Sequence, residues 1–150
     1  MSLQERFIKN LKRYRESLGC SQEELGNRLG SDRTAISRYE RTSSRMTIER
    51  ADALARALDV DVRVLLDTPV EENLAHSPPG APVSSKLVGQ HVRDRRTVEQ
   101  ISQKEFGDRI GMDRNHVSRI EAASGSAVAI RLATLEKLAA AFGIKPTDLL

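Results

Sequence analysis

The sequence predicts an all-α protein made of two tandem five-helix units joined by a Pro/Ser-rich segment, and three observations carry that prediction. The first is an internal repeat. Ser21 to Glu40 (SQEELGNRLGSDRTAISRYE) aligns without a gap to Ser102 to Glu121 (SQKEFGDRIGMDRNHVSRIE), with eleven of the twenty positions identical. Most other positions exchange like for like, as Leu25 with Phe106, Leu29 with Ile110 and Ile36 with Val117. The second is that each copy carries capping and stop residues for short helices at the same places. The third is composition: 39% hydrophobic and 30% charged residues with 3% aromatic and no Trp suits small helical domains packed with Leu, Ile, Val and Ala.

A chain of 150 residues accommodates one domain or two, and the repeat decides for two. The match extends on both sides, pairing Leu11 and Arg15 with Val92 and Arg96, then Leu54, Leu58, Leu65 and Leu66 with Leu138, Phe142, Leu149 and Leu150. The offset grows from 81 to 84 between these flanks, so a three-residue insertion lies after Glu121 within Ala-Ala-Ser-Gly-Ser-Ala. Between the copies, Thr68 to Ser85 is rich in Pro and Ser and lacks apolar periodicity, which reads as a linker. The expected organisation is therefore a first unit over 1–67, a linker over 68–85 and a second unit over 86–150.

Within each unit the elements follow in order. A longer first helix is expected at about 5 to 18 and 86 to 99. Ser21 with Glu24, and Ser102 with Glu105, form capping-box pairs that start a second helix. It stops at Leu29 or Ile110 because Gly30 and Gly111 suit the left-handed conformation that closes a helix. Asp32 and Asp113 cap a third short helix whose Ile36 or Val117 faces inward while Arg33, Ser37 and Arg38, or Arg114, Ser118 and Arg119, point elsewhere. A fourth helix follows at about 47 to 58 and 131 to 142. A last one closes each unit near 61 to 66 and 146 to 150, the latter with Pro146 in its first turn.

These residues resemble the XRE-type helix-turn-helix domain of lambdoid phage repressors and Cro. The pattern is Arg15, Ser21-Gln22, Glu24-Leu25, Gly30, Ile36-Ser37-Arg38 and Glu40, repeated as Arg96, Ser102-Gln103, Glu105-Phe106, Gly111, Val117-Ser118-Arg119 and Glu121. The resemblance implies two tandem lambda-repressor-like domains whose third helix is a recognition helix in the major groove of double-stranded DNA. It places Arg33, Thr34, Ser37 and Arg38 at bases or neighbouring phosphates in the first copy, and Arg114, Asn115, Ser118 and Arg119 in the second; His116, between Asn115 and Val117, is a further candidate for a phosphate, the alternative being an exposed bystander. An Arg fork donates twice to guanine and Asn pairs twice with adenine, each worth about 1 to 3 kcal/mol of discrimination. Gln22 and Gln103, opening the second helix, are expected at phosphates. Arg41 and Arg45 make the loop after the first recognition helix basic, whereas the matching loop from Ala122 to Ile130 is uncharged, so copy two is expected to hold phosphates less well.

The resemblance also implies an internal ion pair between Arg15 and Glu40, and between Arg96 and Glu121. Where the family has Ala after the Leu of the second helix, both copies have glycine, Gly26 and Gly107, and a closer approach of the recognition helix would explain it. The expected function is transcriptional regulation, most simply repression, in the bacterial cytoplasm or nucleoid. Single-domain members of the family dimerise on two half-sites; this chain brings two heads of its own, and an 18-residue coil with a dimension of about 23 Å would let them reach adjacent grooves. The alternative is a protein-interaction module, with one unit dimerising or holding a protein partner as in antitoxins of this family, the second unit being the candidate.

Other function classes find little support. The formal charge of +3 suits a polyanionic partner without specifying one. Cys20, aligned with Ile101, reads as a core residue with no base placed to activate it; a lone cysteine gives neither a disulfide framework nor a cysteine-based zinc site. His76, His91 and His116 lack ligand spacing, so no metal or cofactor is expected, and no acid, base or nucleophile cluster suggests an enzyme. No apolar run approaches the roughly 18 residues that span a bilayer.

Overall fold

The computed structural model describes residues 1–41, 45–122 and 129–150, and every element of regular structure among them is helical. The chain divides into unit 1, Met1–Pro82, and unit 2, Val83–Leu150.

Unit 1 holds α1 (Leu3–Ser17), α2 (Gln22–Arg28), α3 (Arg33–Arg41), α4 (Ile48–Ala57) and α5 (Val62–Asp67). α1 begins two residues before the expected start because Ser2 and Glu5 form a complete capping box of their own. Ser21 Oγ accepts the Glu24 amide at 3.0 Å to start α2, and Asp32 Oδ1 accepts the Ala35 amide at 2.7 Å to start α3. Thr47 caps α4 in the same way. The apolar stripes of these helices meet in a core that includes the fully buried Phe7, Leu11, Leu25, Ile36, Leu54 and Leu65, and Cys20 is buried beside it.

Unit 2 repeats the order with α6 (Ser85–Val98), α7 (Gln103–Ile110), α8 (Arg114–Glu121), α9 (Leu132–Phe142) and a 3-10 turn at Pro146–Leu149. Its α7 has both halves of the capping box, Ser102 with Glu105, and Asp113 caps α8. Phe106 stacks on Phe142 with ring centroids 4.8 Å apart, filling space that two leucines occupy in unit 1. Of the apolar loop expected to pack on its own domain, Ile130 is buried and its amide donates to Ser85 Oγ at 2.8 Å, while Ala127 and Val128 lie outside the described residues. So does most of the three-residue insertion.

The segment expected as a linker is held down over most of its length. Asn10 Nδ2 donates to the carbonyls of Leu65 (2.9 Å) and Thr68 (2.7 Å), and Arg13 Nη1 donates to that of Glu72 (3.0 Å). The Tyr14 hydroxyl is hydrogen-bonded to His76 Nδ1, with the two rings stacked. The Asp61 amide donates to Ser77 O (2.8 Å), Asp61 Oδ2 accepts from the Gly80 amide (2.7 Å), and Arg56 Nη2 donates to Gly80 O (2.6 Å). Residues 68 to 80 thus form a strap on unit 1 rather than a free coil. Val83 is already buried and Ser84 already caps α6, which leaves Ala81 and Pro82 between the two sets of contacts.

Candidate nucleic-acid interface

Burying Ile36 turns the polar residues of α3 outward. Arg33, Thr34, Arg38 and Arg41 are exposed and Ser37 is half-buried. The same holds in α8, where Val117 and Ile120 are buried, Arg114, Asn115, Ser118 and Arg119 are exposed and His116 is half-buried. Each helix therefore presents the sequence-predicted set to solvent from a short, well-capped rod. Arg41 Nε reaches back to Ser37 O at 3.3 Å. Arg45 is exposed at the end of the loop whose residues 42–44 lie outside the described ones.

A bidentate ion pair fixes the C-terminal turn of each rod. Arg15 Nε and Nη2 donate to Glu40 Oε2 and Oε1 at 2.7 and 2.9 Å, and Arg15 Nη1 donates to Cys20 O at 2.7 Å. In unit 2, Arg96 makes the same three bonds to Glu121 and Ile101 O at 2.8, 2.8 and 2.9 Å. The side chains are 9% and 3% exposed in the first pair and 15% and 3% in the second, so both charges sit largely out of water and depend on each other. The bond to Glu40 raises the Arg15 guanidinium above its ordinary value against the opposing effect of burial, and Glu121 does the same for Arg96.

The opening residue of the second helix joins this network. Gln22 Nε2 donates to Glu40 Oε1 at 3.1 Å and Gln103 Nε2 to Glu121 Oε1 at 3.3 Å. Glu40 thus ties α1, the start of α2 and the end of α3 together, and Glu121 does the same for α6, α7 and α8. An amide nitrogen carries two N–H groups, so one remains to each glutamine.

The glycines at positions 26 and 107 belong to this geometry. A Cβ on Gly26 would stand 2.8 and 2.9 Å from the carbonyl carbon and oxygen of Asp32, and one on Gly107 would collide with the carbonyl oxygen of Met112. The second helix of each unit thus rests directly on the backbone that leads into the third, which explains why both copies omit the methyl despite a cost of about 1 kcal/mol in helix propensity.

Sequence reasoning passed over two features of the site. The guanidinium groups of Arg38 and Arg50 lie over the Tyr39 ring, 5.9 and 5.7 Å from its centroid, adding Arg50 at the start of α4 to the basic edge of unit 1. The cue was available: unit 2 has Ile120 and Thr134 at the matching places and lacks both groups. Gly89, mid-helix in α6, is the other; a Cβ there would run into the carbonyl oxygen of Ile120, so α6 lies against the backbone of α8. Its alignment with Ile8 was the signal.

Of the basic runs on the first helices, Arg15 and Arg96 are consumed by the ion pairs and Arg13 by the strap, while Lys9, Lys12, Arg93 and Arg95 remain exposed. His76 and His91 are engaged inside their own units, the latter by Leu149 O at 2.8 Å. Among the described residues no His, Cys, Asp and Glu group is arranged to hold a metal ion, and no helix is long and apolar enough to cross a membrane.

A helix-turn-helix family model matches twice, over residues 11–65 and 92–149, which together make up most of the chain. The chain belongs to the XRE-type helix-turn-helix family. No curated protein and no solved structure matches it. Membership places α3 and α8 where the family carries its recognition helix, and the family is one of DNA-binding regulators.

Proposed function

We propose that this XRE-type protein is a sequence-specific regulator of transcription in the bacterial cytoplasm or nucleoid. It represses by occupying an operator with both recognition helices in adjacent major grooves. The observation that carries the reading is that α3 and α8 display matched, outward polar sets, Arg33, Thr34, Ser37 and Arg38 against Arg114, Asn115, Ser118 and Arg119, on scaffolds locked by the same carboxylate network. The arginines and Asn115 read base edges, with His116 beside them. The remaining N–H of Gln22 and of Gln103 meets a phosphate at the start of the second helix, where the helix dipole favours an anion. Arg41, Arg45 and Arg50 add phosphate contacts in unit 1 alone, making it the stronger-binding head.

Both heads lie in one chain, so a monomer reads two half-sites and the second contact is intramolecular. Footprinting tests this, with two half-sites protected together and a binding curve first-order in protein. A single protected half-site, or second-order dependence on protein, contradicts it. Arg33→Ala is expected to lose about 1 to 3 kcal/mol of discrimination at one base pair of one half-site, whereas Gln22→Ala weakens all sequences alike. Equal losses for both variants on random DNA would contradict this assignment of roles.

A further inference from the structure

We propose that the strap on unit 1 is a spacing gauge: docked, it leaves only Ala81 and Pro82 before the contacts of unit 2, and so restricts the two heads to one separation of half-sites. Asp61 and Arg56, which clamp the end of the strap at Gly80, are the residues that set this specificity. The proposal rests on the two-half-site reading above and adds to it what fixes the distance between the sites.

The groups that hold the strap are not demanded by the scaffold. Asn10, Arg13 and Tyr14 on α1, Arg56 on α4 and Asp61 before α5 hold residues 68–80. The repeat offsets of 81 and 84 place His91, Asp94, Arg95, Ala140 and Lys145 at the matching positions of unit 2. Every one of them differs, yet unit 2 forms its elements in the same order. None of residues 68–80 is buried, so the strap adds little to the core and can lift from unit 1 without unfolding it.

The clamp acts where the strap ends. Asp61 Oδ2 accepts from the Gly80 amide at 2.7 Å, Arg56 Nη2 donates to the Gly80 carbonyl at 2.6 Å, and Arg56 Nε is itself paired with Asp52 Oδ2 at 3.0 Å. A Cβ at position 80 would stand 2.9 Å from that Asp61 oxygen, so the clamp is fitted to glycine. Beyond Ala81 and Pro82 come Val83, which is buried, and Ser84, the cap of α6. Proline fixes its own φ and biases Ala81 toward an extended conformation, which makes this short tether stiff. From Gly80 to Val83 the chain reaches about 10 Å at most, whereas from Asp67 to Val83, with the strap released, it reaches about 55 Å. Each base pair inserted between half-sites shifts the second by about 3.4 Å and rotates it by about a tenth of a turn. The long tether absorbs such changes and the short one does not.

The test measures binding to the duplex that the full chain enriches from a random double-stranded pool, and to the same duplex with one to five base pairs inserted between its half-sites. Three proteins are compared. Besides wild type, the release variant Arg13→Ala/Tyr14→Phe/Gly80→Val removes contacts along the strap, and a third chain carries a dozen Gly and Ser residues between Ala81 and Pro82, lengthening the tether with the strap still docked. Wild type is expected to lose about 100-fold in affinity at five inserted base pairs, the second head being unable to engage. The other two should vary by less than about threefold over the series. Hydrogen exchange at the Gly80 amide should be slow in wild type and in the lengthened chain, and close to that of a free peptide in the release variant. Should the triple variant melt early, Gly80→Val alone, at an exposed position of the strap, carries the same comparison. A wild type indifferent to spacing overturns the gauge while leaving both heads reading DNA. Spacing selectivity unchanged in the release variant or in the lengthened chain overturns it as well, and a Gly80 amide still protected in the release variant shows that the named contacts do not hold the strap. Protection of one half-site alone by wild type marks the separate failure of the two-half-site reading, and the gauge falls with it.

Discussion

The two units share a scaffold to the level of individual hydrogen bonds, yet they use their surfaces differently. Unit 1 uses the outer face of its first helix to hold a strap and surrounds its recognition helix with Arg38, Arg41, Arg45 and Arg50. Unit 2 leaves the equivalent face to Leu87 and Val98 and carries a neutral Ile120 and Thr134 where unit 1 has Tyr39 and Arg50. What is retained in both, the Arg-Glu-Gln network, the Asp cap and the glycine under the recognition helix, positions that helix. What differs decides which contacts surround it. The residues common to the copies thus mark how the outward helix is held, and the differing ones mark what surrounds it.

The largest effect should come from breaking what the units share. Glu40→Ala leaves Arg15 buried with most of its bonds lost, and Glu121→Ala does the same to Arg96, each costing about 3 to 5 kcal/mol. That is comparable to the whole stability of a domain this small. Calorimetry should show one unit's transition lost or moved far down while the other is unmoved, and the loss should be somewhat smaller for Glu121, whose Arg96 partner is more exposed. A single shared transition in both variants would mean the units do not melt independently.

A change confined to unit 2 comes next. Gly89→Ala drives a methyl into the backbone of α8, an overpacking cost of about 1 to 3 kcal/mol that exceeds the gain of about 1 kcal/mol in helix propensity. Amide chemical shifts along α8 should move while those of α3 stay fixed, and an unperturbed α8 would show that the close approach is not required.

The strap offers a pH-dependent contrast. Burial pushes the Asp61 carboxyl up, but the amides of Arg63 and Gly80 and the Arg63 guanidinium together hold it below its ordinary value of 3.8. A carboxylate depressed in the folded state contributes stability that is complete above 3.8 and fades as pH falls through the folded value, so the strap should loosen only below that point. Hydrogen exchange at the Gly80 and Asp61 amides, measured relative to core amides of unit 1, should accelerate as the pH is lowered through and below 3.8, and Asp61→Asn should remove the dependence. Equal behaviour of strap and core amides would argue against anchoring through Asp61.

The smallest effect concerns two left-handed residues. Gln100 has φ 58° where unit 1 has Gly19, and Asp59 has φ 56° where unit 2 has Gly143. Gln100→Gly should stabilise unit 2 by about 0.5 kcal/mol, the relief of left-handed strain less the added freedom of the unfolded chain. Asp59→Gly should gain less in unit 1, because Asp tolerates this conformation better than Gln. Thermal melts resolve the order, and a larger gain at Asp59 would invert it.

Much of this organisation was legible because its signals are local. Ser and Asp caps, Gly stops and periodic apolar positions act within one or two turns, and the repeat printed each of them twice. The outward set on α3 and α8 followed from Ile36 and Val117 as inward residues, and the Arg-Glu pair from the family pattern. The strap was not legible because most of its acceptors are peptide carbonyls, which every sequence contains, and Asn10, Arg13 and Tyr14, which hold it, read as ordinary residues of α1. The link from Gln22 to Glu40 was hidden for a related reason: it joins the two ends of a motif whose members were read one at a time. Gly89 and Arg50 did leave traces, but only as mismatches between copies, and mismatches read as drift until the backbone shows what they accommodate.

Selecting bound sequences from a random pool of double-stranded DNA tests most directly the claim that this chain carries two distinct reading heads. Two related but non-identical half-sites at a fixed spacing are predicted, with the difference falling at the bases opposite Thr34 and Ala35 in one head and Asn115 and His116 in the other. A perfectly symmetric palindrome, or enrichment of one half-site alone, would contradict the account.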